Sequence, residues 1–428
     1  MRNLNRRDFI KLVGVSSASS MLALPIRASA TAAYRVVIIG GGFGGATCAN
    51  YLKHFDPAID VTLVEPKKEF VTCPFSNTVL AGLHDMEFIT HNYDRLRDHN
   101  KIHVVNDTVI DIDATKKIVI LNNGNKLSYD RLVISPGIGF RWGLIKGYDD
   151  EASHIMPHAW RAGEQTILLR KQLQAMDDGG VVIIAPPPEP FRAPPAPYER
   201  ASLIAYYLKK AKPKSKVLIV DSNKTFAKQS LFEAGWKKLY PGMIEWVSGS
   251  DVGRIERVDA GSMQLFSSSG QEFKGAVVNL IPPQQANTIA VNTALTDQDG
   301  WCPVNQKTFE SLKQKDIHVI GDASIVGDMP KTGHAANTQA KICAANIVSD
   351  IRGVAIPEMV YSTSIYSLLS KKYAISRASV YRLKDNKIKA VSVKDSPNKA
   401  SKKTRLQESK YALGWYKSIT ADAFAKEE

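Results

Sequence analysis

Short apolar runs rich in β-branched residues alternate along this chain with amphipathic stretches. Tyr34 to Gly40 reads Tyr-Arg-Val-Val-Ile-Ile-Gly, a run with no polar alternation, as expected of a strand buried on both faces of a parallel sheet. A helix is predicted from about 44 to 55, and Val61 to Glu65 forms a second strand, which completes a βαβ unit. From 101 to 125 the runs shorten to Ile102–Val105, Val109–Ile112 and Ile118–Leu121, as in a small antiparallel meander. Tyr129 to Gly137 returns to a buried strand ending in a tight turn. After a helix at about 161–175, a second block repeats the alternation. It has strands at 181–185 and 216–221 and a helix at about 198–210 between them. Ile317 to Asp322 is a last apolar strand, followed by a helix at about 332–351. From about Pro357 the tail alternates short strands with basic loops and ends in a helix at 411–425. The pattern is that of an α/β protein with two Rossmann-like dinucleotide-binding units and a C-terminal α+β domain.

The first 30 residues read as a targeting segment, not as fold. Asn5-Arg6-Arg7-Asp8-Phe9-Ile10-Lys11 resembles a twin-arginine export signal, an apolar run spans 12–24, and Ala28-Ser29-Ala30 is a small-x-small cleavage site. That run is too short and too rich in serine to span a bilayer. Periplasmic export by the twin-arginine route is expected, with cleavage near Ala30. The remaining organisation is expected as a first dinucleotide-binding domain at 31–150 and 300–355, a second Rossmann-like domain at 151–299 and a C-terminal domain at 356–428. No uncharged apolar stretch of about 18 residues appears, so no integral membrane segment is expected.

Charge adds one feature. The chain carries 56 Lys and Arg against 42 Asp and Glu, net +14. The excess concentrates between Lys371 and Lys417, where the only acids are Asp385, Asp395 and Glu408. Such a stretch is either a solvated face or a docking surface for an acidic partner or an anionic substrate. Nucleic acid is not expected, because no nucleic-acid-binding motif accompanies the charge. The four cysteines, Cys48, Cys73, Cys302 and Cys343, form no C-x-x-C pair, so neither a zinc site nor any other metal centre is expected. An oxidising compartment permits a disulfide, but spacing does not select a pairing.

The first chemistry-bearing motif is Gly40-Gly41-Gly42-Phe43-Gly44-Gly45, a G-x-G-x-x-G between a strand and a helix. Gly40 permits the tight turn, Gly42 the approach of a pyrophosphate, and Gly44 and Gly45 the close packing of helix on strand. Glu65 ends the next strand, where an acid bonds adenosine ribose hydroxyls. Two downstream elements select FAD. Tyr129–Gly137 resembles the strand and turn that close the FAD domain of two-dinucleotide-fold flavoproteins. Ile317–Asp322 resembles their second FAD signature, in which Asp322 takes the ribityl hydroxyls. The helix after it, carrying Gly333 and Asn337, points its positive end at the flavin. Val109 completes the candidate cofactor set. The second block lacks such a loop. Ala185-Pro186-Pro187-Pro188-Glu189-Pro190 offers no run of N–H groups, so a nicotinamide nucleotide is not expected there.

Longer stretches carry a specific resemblance. Glu65-Pro66, Thr72-Cys73 and Ser76-Asn77 are among them, with His158–Gln165, Pro190–Ser202, Asn279–Pro283, Gly300–Pro303 and His318–Ala323. Over essentially the whole mature chain the sequence is similar to the flavoprotein subunit of flavocytochrome c sulfide dehydrogenase, a relative of sulfide:quinone oxidoreductases. The resemblance implies FAD held covalently through its 8α-methyl group by Cys73. It implies a small-molecule reductant of the sulfide type, and electrons passed to a c-type cytochrome. The haem would lie on another polypeptide, since no C-x-x-C-H is present here.

One departure stands out. The family carries a redox disulfide over the flavin, and the aligned positions here are Ala193 and Ile365. Without the pair no persulfide forms on the chain. Either a donor reduces the flavin directly, or the protein is an electron-transfer subunit or oxidises a non-sulfur small molecule. Glu199 is either a general base or a carboxylate at a helix start. Trp415 is either an aromatic beside the flavin or a core tryptophan. Cys302 reads as structural.

Overall fold

The computed structural model describes residues 34–424. The signal-like segment and its cleavage site therefore lie outside the described residues, as does Ala425.

In chain order the principal elements begin with strand β1 (Arg35–Ile39), helix α1 (Phe43–Phe55), β2 (Asp60–Val64), α2 (Ser76–Leu80) and β3 (His103–Val105). Then come β4 (Val109–Asp113), β5 (Ile118–Leu121), β6 (Lys126–Ser128) and β7 (Arg131–Ile134). The second block is α3 (Glu164–Ala175), β8 (Val181–Ala185), α4 (Ala196–Ala211), β9 (Lys216–Val220), α5 (Gln229–Leu239), β10 (Ile244–Val247) and β11 (Val277–Leu280). The chain closes with β12 (Ile317–Val319), α6 (Gly333–Arg352), β13 (Tyr361–Ser370), β14 (Tyr373–Lys384), β15 (Lys387–Asp395) and α7 (Lys402–Phe424).

Two parallel sheets organise the molecule. The first runs β12-β7-β1-β2-β3, so a strand from beyond residue 300 completes a sheet begun at residue 35. The second runs β10-β9-β8-β11. Both are built from the unalternated apolar runs, because helices cover parallel sheets on both faces. Val36 to Ile39 and Leu132 to Ile134 are accordingly buried. This is an α/β fold of the glutathione-reductase type, with both Rossmann-like units present.

Two sequence expectations need correction. The segment at 102–105 does not join a meander: β3 pairs parallel with β2, Thr62 opposite His103, and extends the main sheet. The antiparallel meander is β4-β5-β6 alone. The tail strands are not short. β13, β14 and β15 have 10, 12 and 9 residues and form one antiparallel sheet, on which α7 packs. Their solvent-facing lysines and arginines mask the alternation in the sequence.

α7 then returns to the first unit. Asp422 near its end accepts from Lys341 Nζ at 2.6 Å and from Tyr51 Oη at 3.2 Å, tying it to α6 and α1. Among the described residues no helix is long and apolar enough to cross a membrane.

Candidate active site

The glycine loop between β1 and α1 is shaped by two positions where a side chain cannot fit. Gly40 sits at φ +96°, and a Cβ there would fall 2.3 Å from the Ser135 carbonyl oxygen. A Cβ on Gly45 would lie 1.8 Å from the Gly40 carbonyl oxygen. Gly44 lies against Ser135, and Gly42 faces the Phe70 ring. Gly42 caps α1 without any side-chain acceptor, and the first turn holds no acid. The free N–H groups of that turn suit an anion. Glu65, just past β2, accepts the Gly41 N–H at 2.7 Å and the Lys67 N–H at 3.2 Å. The acid thus sits on the phosphate loop.

Asp322 follows β12. Its Oδ1 is buried without a hydrogen-bond partner among the described residues. Burial raises its pKa, opposed by Arg192 and Lys331. Lys331 donates to the carbonyls of Asp322 at 2.8 Å and Ser324 at 2.9 Å, and burial lowers its pKa to about 8. An orphaned acceptor beside a glycine cradle fits the ribityl hydroxyls of FAD, which supply the missing donors.

At the end of α6 nearest Asp322 lies a cavity of about 120 Å³. Its walls bring together Cys73, Ala193, Glu199, Gly333, Ile365 and Trp415, six of the residues singled out from sequence. They arrive from five places in the chain. Cys73 precedes α2, Ala193 and Glu199 flank the start of α4, Gly333 opens α6, Ile365 lies on β13 and Trp415 on α7. Both positions aligned with the redox cysteines thus face the same space as Cys73. The Cys73 thiol lies 3.5 Å from the Trp160 carbonyl.

The back wall is polar and closed. Glu199 accepts the Leu368 N–H at 2.7 Å and the Asn77 side-chain N–H at 2.9 Å. Burial raises its pKa, while these bonds and the charges of Lys228 and Arg200 pull it down. Arg200 donates to Asn77 Oδ1 at 3.0 Å, Asn279 Oδ1 at 2.8 Å and the carbonyls of His158 and Ala159. It lies 5.1 Å over the Trp160 ring. Lys228, buried at the cap of α5, donates to Ser367 Oγ at 2.8 Å, and burial lowers its pKa to about 7. His158 is held neutral: burial first, then Arg161, Arg200 and Arg192, lower its pKa to about 3. The Cys73 end of the cavity therefore lies among arginines, a field that favours an anionic donor.

His334 was not singled out by the sequence, yet it lines the cavity at the second residue of α6. Its Nδ1 accepts from the Ser364 N–H at 2.8 Å and from Trp415 Nε1 at 3.3 Å, so the ring proton resides on Nε2. Lys228 was missed likewise, whereas Asn77 and Arg200 fall inside the stretches Ser76-Asn77 and Pro190–Ser202 that carry the resemblance. No local pattern marks Lys228 or His334, since each acts through partners far away in the chain.

Two candidate cofactor residues lie elsewhere. Val109 opens β4 and packs in the core of the first unit. Asn337 lies between helices: its amide donates to Thr47 Oγ1 at 3.0 Å and Asp422 Oδ2 at 3.4 Å. It positions α1, α6 and α7 and does not reach the cavity, because it sits one turn beyond Gly333.

Comparison with known proteins follows the same division of the chain. Residues 34–167 match the family model for pyridine nucleotide-disulphide oxidoreductases. Residues 166–282 match the central region of the sulfide dehydrogenase (flavocytochrome c) flavoprotein chain, and 357–424 its flavin-binding region. The flavoprotein chain of that enzyme from Chlorobaculum thiosulfatiphilum is 71% identical over 45 residues, 10% of this chain and 94% of that sequence. Mitochondrial sulfide:quinone oxidoreductase from Dictyostelium discoideum is 24% identical over 362 residues, 80% of this chain and 76% of the relative. The solved sulfide:quinone oxidoreductase of Aquifex aeolicus superposes with a TM-score of 0.73 at 20% identity, covering 92% and 93% of the two chains, a likeness of fold. With the glycine cradle, the orphaned Asp322 and these matches in place, the chain is a flavin-dependent oxidoreductase and belongs to the family of flavocytochrome c sulfide dehydrogenase flavoprotein chains.

Proposed function

We propose that this protein is a periplasmic oxidoreductase that holds FAD covalently at Cys73 and passes electrons from a reduced sulfur donor to a c-type cytochrome. What carries the proposal is the single cavity in which Cys73 faces Ala193, Ile365, Glu199 and Trp415. FAD, when bound, accepts an electron pair and releases electrons singly, the conversion needed between a two-electron donor and haem.

The chain's own residues define what happens around it. The α1 N–H groups and Asp322 would hold the pyrophosphate and ribityl regions. The Cys73 thiol would fix the dimethylbenzene end by a thioether. Arg161, Arg192 and Arg200 would draw an anionic donor such as hydrosulfide toward the cavity. Glu199, its pKa raised by burial, is the group within the cavity able to take a proton from the donor. Ala193 and Ile365 provide no sulfur, so the donor must deliver its electrons without a persulfide on the protein. That departure supports a second reading, in which a non-sulfur small molecule is the donor. The twin-arginine-like segment supports export, and the basic face between Lys371 and Lys417 supports an acidic cytochrome as partner.

Anaerobic titration of the purified flavoprotein tests this. Sulfide is expected to bleach the flavin absorbance, and added cytochrome c to restore it while its haem is reduced. A flavin unaffected by sulfide, thiosulfate and small thiols alike would overturn the sulfur-donor assignment.

A further inference from the structure

The segment that carries Cys73 is gripped from the far end of the chain. Thr72 is buried, and its hydroxyl donates to the Pro74 carbonyl at 3.0 Å, so one hydroxyl bridges the two neighbours of the cysteine. The same oxygen lies 2.7 Å from Tyr416 Oη on α7. The Thr72 proton is already given to Pro74, so the Tyr416 hydroxyl is the donor between them. His91 Nε2 meets Tyr416 Oη from another side at 3.0 Å. The Tyr416 ring forms a second grip. It packs with its centre 4.6 Å from that of the Phe75 ring. Phe75 sits at φ +66°, a left-handed backbone that a bulky residue keeps only when its surroundings impose it. Local bonds close the turn: the Phe75 carbonyl accepts Thr78 Oγ1 at 2.6 Å and the Cys73 carbonyl accepts Ser76 Oγ at 2.7 Å. One tyrosine of the C-terminal domain thus holds the residues on both sides of Cys73, whose thiol lines the cavity.

We propose that Tyr416 is a positioning residue for flavin attachment, which fixes the Thr72–Phe75 turn and so aims the Cys73 sulfur. The inference rests on the reading of Cys73 as the tether. Attachment breaks the Cys73 S–H bond and one C–H bond of the 8α-methyl group, and forms one C–S bond. The two electrons and two protons pass to the flavin ring, from which dioxygen takes them as hydrogen peroxide. The sulfur must meet a single carbon atom, so freedom of the turn slows this step. It weakens cofactor binding far less, because binding depends on the glycine cradle and Asp322, which are held by other contacts. The grip also sets an order of events. Tyr416 reaches Thr72 only when α7 has packed, so the thioether forms after the C-terminal domain has docked.

The test uses the full-length chain, purified at successive times after induction. Absorbance gives total flavin, and acid precipitation separates flavin tethered to the polypeptide from flavin released. In the wild type nearly all the flavin is expected to become tethered. Tyr416→Phe and Thr72→Val keep the side-chain shapes and lose the hydroxyl contact. In both, total flavin is expected to stay near the wild-type level while attachment slows roughly tenfold. Thr72→Ser keeps the hydroxyl and is expected to attach flavin at the wild-type rate. Attachment in Tyr416→Phe as fast as in the wild type would overturn the proposal. So would a loss of total flavin in step with the tethered fraction, since that marks a general loss of fold. A wild-type chain without tethered flavin would refute the Cys73 reading and this proposal with it, a result distinct from tethering that is indifferent to Tyr416.

Discussion

Asn77 donates its side-chain N–H to Glu199 at 2.9 Å, while its carbonyl oxygen accepts Arg200 Nε at 3.0 Å. One amide thus holds a buried acid and a buried base apart and orients both. Replacing it by Ala leaves two buried charged groups each short of a partner, at a cost of about 2 kcal/mol. Because the lost bond favoured the ionised acid, Asn77→Ala is also expected to move the Glu199 titration upward. Urea unfolding and the pH profile of donor oxidation read the two effects separately.

The glycine cradle gives a sharper test of cofactor binding. A Cβ at residue 45 would overlap the Gly40 carbonyl oxygen, so α1 must move off β1. Gly45→Ala is expected to lower flavin content at least tenfold and to cost about 3 kcal/mol of stability. The ratio of flavin to protein absorbance checks the first, and denaturant unfolding the second.

Acid sensitivity follows from His334 and His158. Burial, reinforced by Lys341, lowers the His334 pKa to about 4, opposed by its Ser364 bond and by Asp422. Both rings are neutral in the fold, whereas in the unfolded chain they titrate near 6.5. As pH falls below that value the unfolded state takes up protons first, so stability present above about pH 6.5 is lost toward pH 4 and, for His158, toward 3. The His334 share is of order 3 kcal/mol. Unfolding free energies measured across this range are expected to fall with pH, and less steeply in His334→Phe.

Ala193 and Ile365 line the same cavity, so the position of the absent redox pair can be tested by restoring it. Ala193→Cys combined with Ile365→Cys is expected to oxidise to a disulfide within the cavity and to increase the rate of sulfide oxidation. Thiol counts before and after reduction, with stopped-flow bleaching, would show it. Two free thiols under oxidising conditions would contradict the shared placement.

Much of the fold was legible because parallel strands buried on both faces leave unbroken apolar runs such as Val36–Ile39 and Val181–Ala185. The glycine loop was legible because its constraints are steric and local. β3 was legible as a strand but not as part of the main sheet: three residues carry no periodicity, and only pairing with β2 places it. The long tail strands were hidden by lysines on their solvent face. Of the site, the residues within recognisable stretches could be named, and Cys73, Ala193, Glu199, Ile365 and Trp415 do share one cavity. Lys228 and His334 could not be found, because their burial and hydrogen bonds arise only when α5, α6 and β13 meet. Asn337 was named from its position along α6, and its side chain bonds Thr47 on α1.

The tether at Cys73 is the central claim, and intact-protein mass spectrometry under denaturing, reducing conditions tests it most directly. The mature polypeptide is expected to carry the added mass of FAD, located by digestion to the peptide containing Cys73, and Cys73→Ser is expected to lose that mass. A polypeptide of unmodified mass with free FAD released on denaturation, or flavin retained in Cys73→Ser, would contradict it.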